Sequence, residues 1–147
     1  MNKQPSLKWI TRPQGCGTEE QGTQVHELSV FVHHIKLQSL NQVFRGLSER
    51  ARWYIITEAR KQRMLVAHAL RTKPKPEFPL VVTVTRIAPG KGLDPHDNLP
   101  GACKHVVDEI AAWLDIDDRD TRVSWRYAQA SCGQLRAVWL LFERKVS

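Results

Sequence analysis

Bulky apolar residues first gather at Leu28-Ser29-Val30-Phe31-Val32-His33-His34-Ile35, where alternation with β-branched and aromatic side chains predicts a strand. After a loop from Leu37 to Gly46 the period changes. From Ser48, a suitable N-cap, to about Arg71, Ile55, Ala59, Val66 and Leu70, joined by Ile56, recur near every 3.6 residues and predict a helix. Thr72-Lys73-Pro74-Lys75-Pro76 ends it. The run Leu80-Val81-Val82-Thr83-Val84-Thr85-Arg86-Ile87 is almost continuously β-branched, which suits a strand buried on both faces at the centre of a sheet. A turn-rich loop, Ala88 to Gly92, leads to a second helix from about Leu99 or Pro100 to Leu114, with Leu99, Cys103, Val106, Ile110 and Trp113 on one stripe. Two last strands, 122–128 and 135–142, join through Ser131-Cys132-Gly133, most simply as a hairpin. The expected fold is therefore α/β in the α+β sense. A small mixed β-sheet of about four strands packs with two helices, in β-α-β-α-β-β order.

Composition sets the boundaries of that picture. The 147 residues are 41% hydrophobic and 25% charged, ordinary values for one folded domain over 27–147. Residues 1–26, rich in Gln, Gly, Thr and Pro, read as a flexible leader. The leader lacks the apolar core of a signal peptide, and no stretch is apolar enough to span a bilayer. Three widely spaced cysteines, Cys16, Cys103 and Cys132, make no disulfide framework; the expectation is a soluble, cytoplasmic protein with no membrane partner.

Charge changes the picture more. The net charge is +7, but it is unevenly spread. Residues 42–76 carry nine Lys and Arg against two Glu, whereas residues 89–125 carry four against eight Asp and Glu. The first segment attracts a polyanion, the second a cation. The acidic stretch runs through Leu93-Asp94-Pro95-His96-Asp97-Asn98-Leu99, then Lys104 and Asp108, then Asp115-Ile116-Asp117-Asp118. Oxygen donors of this kind suit a hard divalent ion such as Mg²⁺. On a continuous helix Asp97, Gly101, Lys104 and Asp108 share one face, opposite the apolar stripe. A helix of about 15 residues is roughly 22 Å long, so Asp94 and Asp97 before it stand far from Asp117 and Asp118 after it, unless a second chain brings the groups together. The plain alternative is that these residues are caps and solvated loop groups. His33, His34, His96 and His105 have no zinc-ligand spacing.

The string Asp97-Asn98-Leu99, followed by Lys104, by Asp108 four residues on, and by Leu114 and Asp117-Asp118 before a strand, resembles the RusA-like Holliday junction resolvases of bacteria and prophages. Leu37-Gln38-Ser39-Leu40-Asn41 falls where that family has an asparagine-bearing loop. The resemblance covers about residues 28–143. It implies a homodimeric, Mg²⁺-dependent endonuclease (Mn²⁺ also serving) that cuts branched DNA symmetrically and needs no nucleotide cofactor. It further implies that Asp94, Asp97 and Asp118, with Asp117 as the alternative to Asp118, hold the metal, that Lys104 faces the reacting phosphate, and that Arg45, Arg50, Arg52, Lys61, Arg63, Lys73, Lys75 and Lys91 hold DNA. Here Pro95 and His96 separate the two motif aspartates where the family has one residue, and Lys104 lies further past Leu99 than the family pattern. The rival expectation is a non-catalytic phage or prophage DNA-binding protein that keeps the fold with an impaired metal site.

Overall fold

A computed structural model describes residues 26–38 and 48–145. Its elements are β1 (His26–His33), α1 (Glu49–Leu70), β2 (Leu80–Ile87), α2 (Asn98–Ala102), α3 (Lys104–Trp113), β3 (Val123–Ala130) and β4 (Ala137–Arg144). They form the expected α+β arrangement, a four-stranded mixed sheet in the order β1-β4-β2-β3 with helices packed on it. The leader through residue 25, Arg45 and the 39–41 portion of the asparagine-bearing loop lie outside the described residues, while His26 belongs to β1.

The sheet corrects one expectation. β3 and β4 are not a hairpin: β3 pairs parallel to β2, and β4 lies between β1 and β2, antiparallel to both. Apolar content explains the exchange. Ala137, Val138, Leu140, Phe142 and also Glu143 of β4 are buried, from both faces of the strand, which requires a central position. β3, Val-Ser-Trp-Arg-Tyr-Ala-Gln-Ala, has only Val123 buried and exposes Arg126, as an edge strand does. β2 is central, as its β-branched run predicts.

Strand register assigns the faces. Leu80, Val82 and Val84 of β2, Val138, Leu140 and Phe142 of β4, Val30 and Val32 of β1, and Val123 of β3 belong to one core with Val66, Leu70, Leu99, Val106 and Ile110 of the helices. Trp113 meets Phe142 edge-on at 5.6 Å between ring centroids. Trp125 and Tyr127 border the same core, and parity adds Gln129, so β3 presents Trp125, Tyr127 and Gln129 on its helix-facing side.

α1 begins where predicted, with the Ser48 hydroxyl oxygen accepting from the Ala51 N–H at 3.4 Å. Its burial is confined to Gln62, Val66 and Leu70. Ile56, expected in the apolar stripe, is 47% exposed, because at 100° per residue it falls beside the face of Gln62, Val66 and Leu70 and not on it. The second predicted helix is two helices, broken at Cys103. Pro100 and Gly101, the two residue types least suited to a helix interior, occupy α2 and limit it to 5 residues. Its apolar stripe is nonetheless the predicted one, with Leu99, Cys103, Val106 and Ile110 buried. No helix among the described residues is long and apolar enough to cross a membrane.

Candidate functional site

The chain leaves β2 at Ile87 and turns back along β3. Gln129 causes this: its Oε1 accepts from the Leu93 N–H at 2.8 Å and its Nε2 donates to the Leu93 carbonyl at 2.6 Å. Gln129 stands level with Arg86, so by Leu93 the loop has already returned to the end of the sheet it left. Glycine at 92 lets the loop lie close to this clamp: a Cβ there would stand 3.0 Å from Gln129 Nε2, and the amide would have to give by a few tenths of an ångström. Beyond it, Asp94 Oδ1 accepts from the His96 N–H at 2.8 Å, and the Asp94 carbonyl accepts from the Leu99 N–H at 2.9 Å. Asp97 occupies the cap position of α2, yet its carboxylate makes no capping hydrogen bond. α2 then packs against β3.

The second acidic segment is held by a different device. α3 closes with Asp115 in the left-handed region (φ 57), the Asp115 N–H donating to the Ala112 carbonyl and the Ile116 N–H to the Ala111 carbonyl. The chain then meets β3, where Trp125 Nε1 donates to the Asp118 carbonyl at 3.1 Å. Asp117 Oδ1 accepts from the Arg119 N–H at 2.9 Å, and this bond chiefly lowers the Asp117 carboxyl below its ordinary range. Asp120 grips Arg122 at 2.7 Å, which brings its carboxyl down to about 2, while the Arg122 guanidinium lies 4.4 Å from the Phe78 ring centroid.

Both acidic segments therefore fasten to one face of one edge strand. The anchors Trp125 and Gln129 are four positions apart on β3, roughly 13 Å at 3.3 Å per residue. Tyr127 lies between them, its hydroxyl raised first by burial and then by the nearby Cys103 and the Asp118 carboxylate. The sequence expectation of groups separated by one straight helix of about 22 Å does not describe this geometry, because the helix is broken and α3 has 10 residues, about 15 Å. Asp94, Asp97, Asp117 and Asp118 are all exposed, and none forms an ion pair among the described residues. No three His, Cys, Asp or Glu side chains among the described residues are gathered as a metal site. The donors fit Mg²⁺ in kind, being carboxylate oxygens without cationic partners.

Lys104 stands elsewhere. Its Nζ lies 3.9 Å from Asp108 Oδ2, an oxygen that also accepts from Arg63 Nη2 at 3.0 Å, so the three charges form a seam between α1 and α3. The break at Cys103 leaves Asp97 and Gly101 with α2 and Lys104 and Asp108 with α3, so the four do not belong to one continuous helix. Gly101 is open, with nothing within 4 Å of a Cβ built there. Of the basic residues, Arg50, Arg52 and Lys61 are exposed on α1, Lys73 and Lys91 are exposed in loops, and Lys75 pairs with Asp115 at 3.0 Å. That last contact brings the linker's positive charge to the segment holding Asp117 and Asp118.

Beneath this surface the groups are inert. Burial pushes the Cys103 thiol up to about 12, against the opposing pull of Arg86, so it stays protonated. Arg86 Nε donates to the Leu37 carbonyl at 3.0 Å. Burial, and after it Arg63, lower the His105 imidazole below its ordinary pKa. His105 and Gln62, whose Nδ1 and Oε1 have no hydrogen-bond partner among the described residues, line a cavity of about 30 Å³, the size of one water. Gln129 and Trp125 were not singled out by spacing. The signal available was a glutamine in phase with the inward residues of a strand, where an apolar side chain is the norm. Among known proteins, the chain matches no family model and no curated protein.

Proposed function

We propose that the protein is a Mg²⁺-dependent endonuclease that hydrolyses phosphodiester bonds in branched DNA, acting as a homodimer in the cytoplasm. One observation carries this reading. Two acidic segments distant in sequence are fastened to the same face of β3 by Gln129 and Trp125, and their carboxylates have no cation to satisfy them. Exposed carboxylates are solvated at little cost, and as anionic oxygen donors without an ion pair among the described residues they are open to a hard divalent cation. Asp94, Asp97 and Asp118 are the assigned ligands. Asp117 is the lesser choice, because one of its oxygens already accepts from the Arg119 N–H. Bound Mg²⁺ supplies an activated water and neutralises charge on the scissile phosphate.

The remaining work belongs to the chain. The Leu93–Gln129 clamp orients Asp94 and Asp97, and the Trp125–Asp118 bond orients the other side. Lys91 and Lys75 flank the two segments and attract phosphates. Lys104 reaches a phosphate by leaving Asp108, which costs little because an exposed pair contributes at most about 1 kcal/mol. Arg50, Arg52, Lys61, Arg63, Lys73 and, on the resemblance, Arg45 bind the DNA backbone in a salt-dependent manner. The dimer reading is supported by the sheet face away from the helices, where Phe31, Trp139 and Leu141 are half-buried and no described helix lies over them.

The second reading, a DNA-binding protein without cleavage, is favoured by one fact: the carboxylates are not gathered. A single experiment separates the two. Purified protein is incubated with a four-way junction and with linear duplex, in Mg²⁺ or EDTA. The nuclease reading predicts junction cuts in Mg²⁺ alone, with Asp97→Asn and Asp118→Asn each losing more than about 100-fold in cleavage, beyond the loss typical of a supporting group, while still binding the junction. Binding without Mg²⁺-dependent cutting assigns the second reading.

A further inference from the structure

α1 carries large apolar side chains facing solvent. Trp53 is 67% exposed, Tyr54 49%, Ile56 47% and Met64 63%. At 100° per residue, Trp53, Ile56, Arg60 and Met64 fall within about 80° of one another, roughly a third of a turn from the buried Gln62, Val66 and Leu70. This is a second stripe, on the side of the helix away from the core. Such a stripe is expensive to leave in water, at about 25 cal/mol per Å² of apolar surface. It is therefore a contact surface.

Charge identifies what covers it. Arg60 interrupts the stripe, and Arg50, Arg52, Lys61 and Arg63 flank it, against Glu49 and Glu58 only. A second copy of this chain would set these cations against their equals, and an apolar partner would bury Arg60 without a counter-ion. A strand of nucleic acid satisfies both features at once, because phosphates answer the cations and unstacked bases cover the aromatic faces. Duplex DNA offers only its backbone and groove edges to such a surface; unpaired bases offer their faces.

We infer that the outer face of α1 is a stacking platform for unpaired bases, with Trp53 as the principal stacking residue and Arg60 and Lys61 holding the adjacent phosphates. This extends the branched-DNA reading, since bases are unstacked where helices branch, but it concerns binding and not cleavage. Trp53 is largely exposed and is not among the residues packed against the core cluster, so its replacement is expected to leave the fold in place.

The test is fluorescence anisotropy in EDTA, so that no cleavage intervenes. The probes are a fluorescein-labelled oligothymidylate of about 15 nucleotides and a blunt duplex of equal length. Trp53→Ala is expected to weaken oligothymidylate binding about 5-fold or more, the loss of one stacked base, and to change duplex binding less than about 2-fold. Trp53→Phe retains most of the affinity. Arg60→Ala lowers the salt dependence of single-strand binding by about 0.7 in the log–log slope, whereas Trp53→Ala leaves the slope unchanged. Three results overturn the inference: Trp53→Ala binding oligothymidylate as tightly as the unaltered protein, equal losses on single strand and duplex, or a drop in mass by light scattering that shows the stripe to be covered by a second copy. If the junction is never cut but Trp53→Ala still loses single-strand affinity, the nuclease reading fails alone. If the junction is cut and Trp53→Ala binds normally, the platform fails alone.

Discussion

The seam between α1 and α3 and the rim along β3 contain the same kinds of residue and use them in opposite ways. In the seam, Asp108 takes Arg63 and Lys104 on one carboxylate oxygen, and every charge has an answer. At the rim, Asp94, Asp97 and Asp118 form no ion pair among the described residues, although the chain carries an excess of seven positive charges. Asp115 and Asp120 belong with the seam, one serving the left-handed close of α3 and the other clasping Arg122. Eight acidic residues between positions 89 and 125 look alike in the sequence. In the folded chain Asp108, Asp115 and Asp120 form ion pairs, whereas Asp94, Asp97 and Asp118 form none among the described residues.

The largest effect short of a ligand mutation is expected at Gln129, which joins the two classes by placing rim residues through a backbone clamp. Gln129→Leu leaves the Leu93 N–H and carbonyl unanswered. It is expected to lower stability by about 1–3 kcal/mol in denaturant titration and junction cleavage by about 10- to 100-fold. Unchanged cleavage would show that the clamp places nothing that matters. Asp108→Ala sharpens the contrast from the other side: cleavage stays within about 2-fold and stability falls by no more than about 1 kcal/mol, since both cations are half-exposed. A large loss of cleavage there would move Asp108 to the functional class. Asp115→Gly gives the smallest change and the opposite sign. Relief of a left-handed aspartate is expected to stabilise by about 0.5–1 kcal/mol, and the exposed Lys75 pair offsets little of it.

Much of the fold was legible because its signals are local. Ser48 caps α1, Pro74 and Pro76 stand in the linker after it, and the β-branched run of β2 sits at the sheet centre. Nearness in sequence suggests a β3–β4 hairpin, but burial decides the pairing: the nearly unbroken apolar run of β4 fits a strand with neighbours on both sides. The helix break was signalled by Pro100-Gly101, but the apolar stripe continues through it and conceals it. At the candidate site, the aspartates were visible as a cluster. Their division into paired and unpaired was not, since it depends on Arg63, Lys75, Trp125 and Gln129, which come from other elements.

The most direct measurement is a crystal structure of the protein grown with Mn²⁺ in place of Mg²⁺, read by anomalous scattering. The account predicts one ion per chain or more at the β3 rim, with carboxylate oxygens of both Asp97 and Asp118 about 2.1 Å away. An ion that touches only one of these residues, or a rim that stays empty at a Mn²⁺ concentration supporting cleavage, would contradict it.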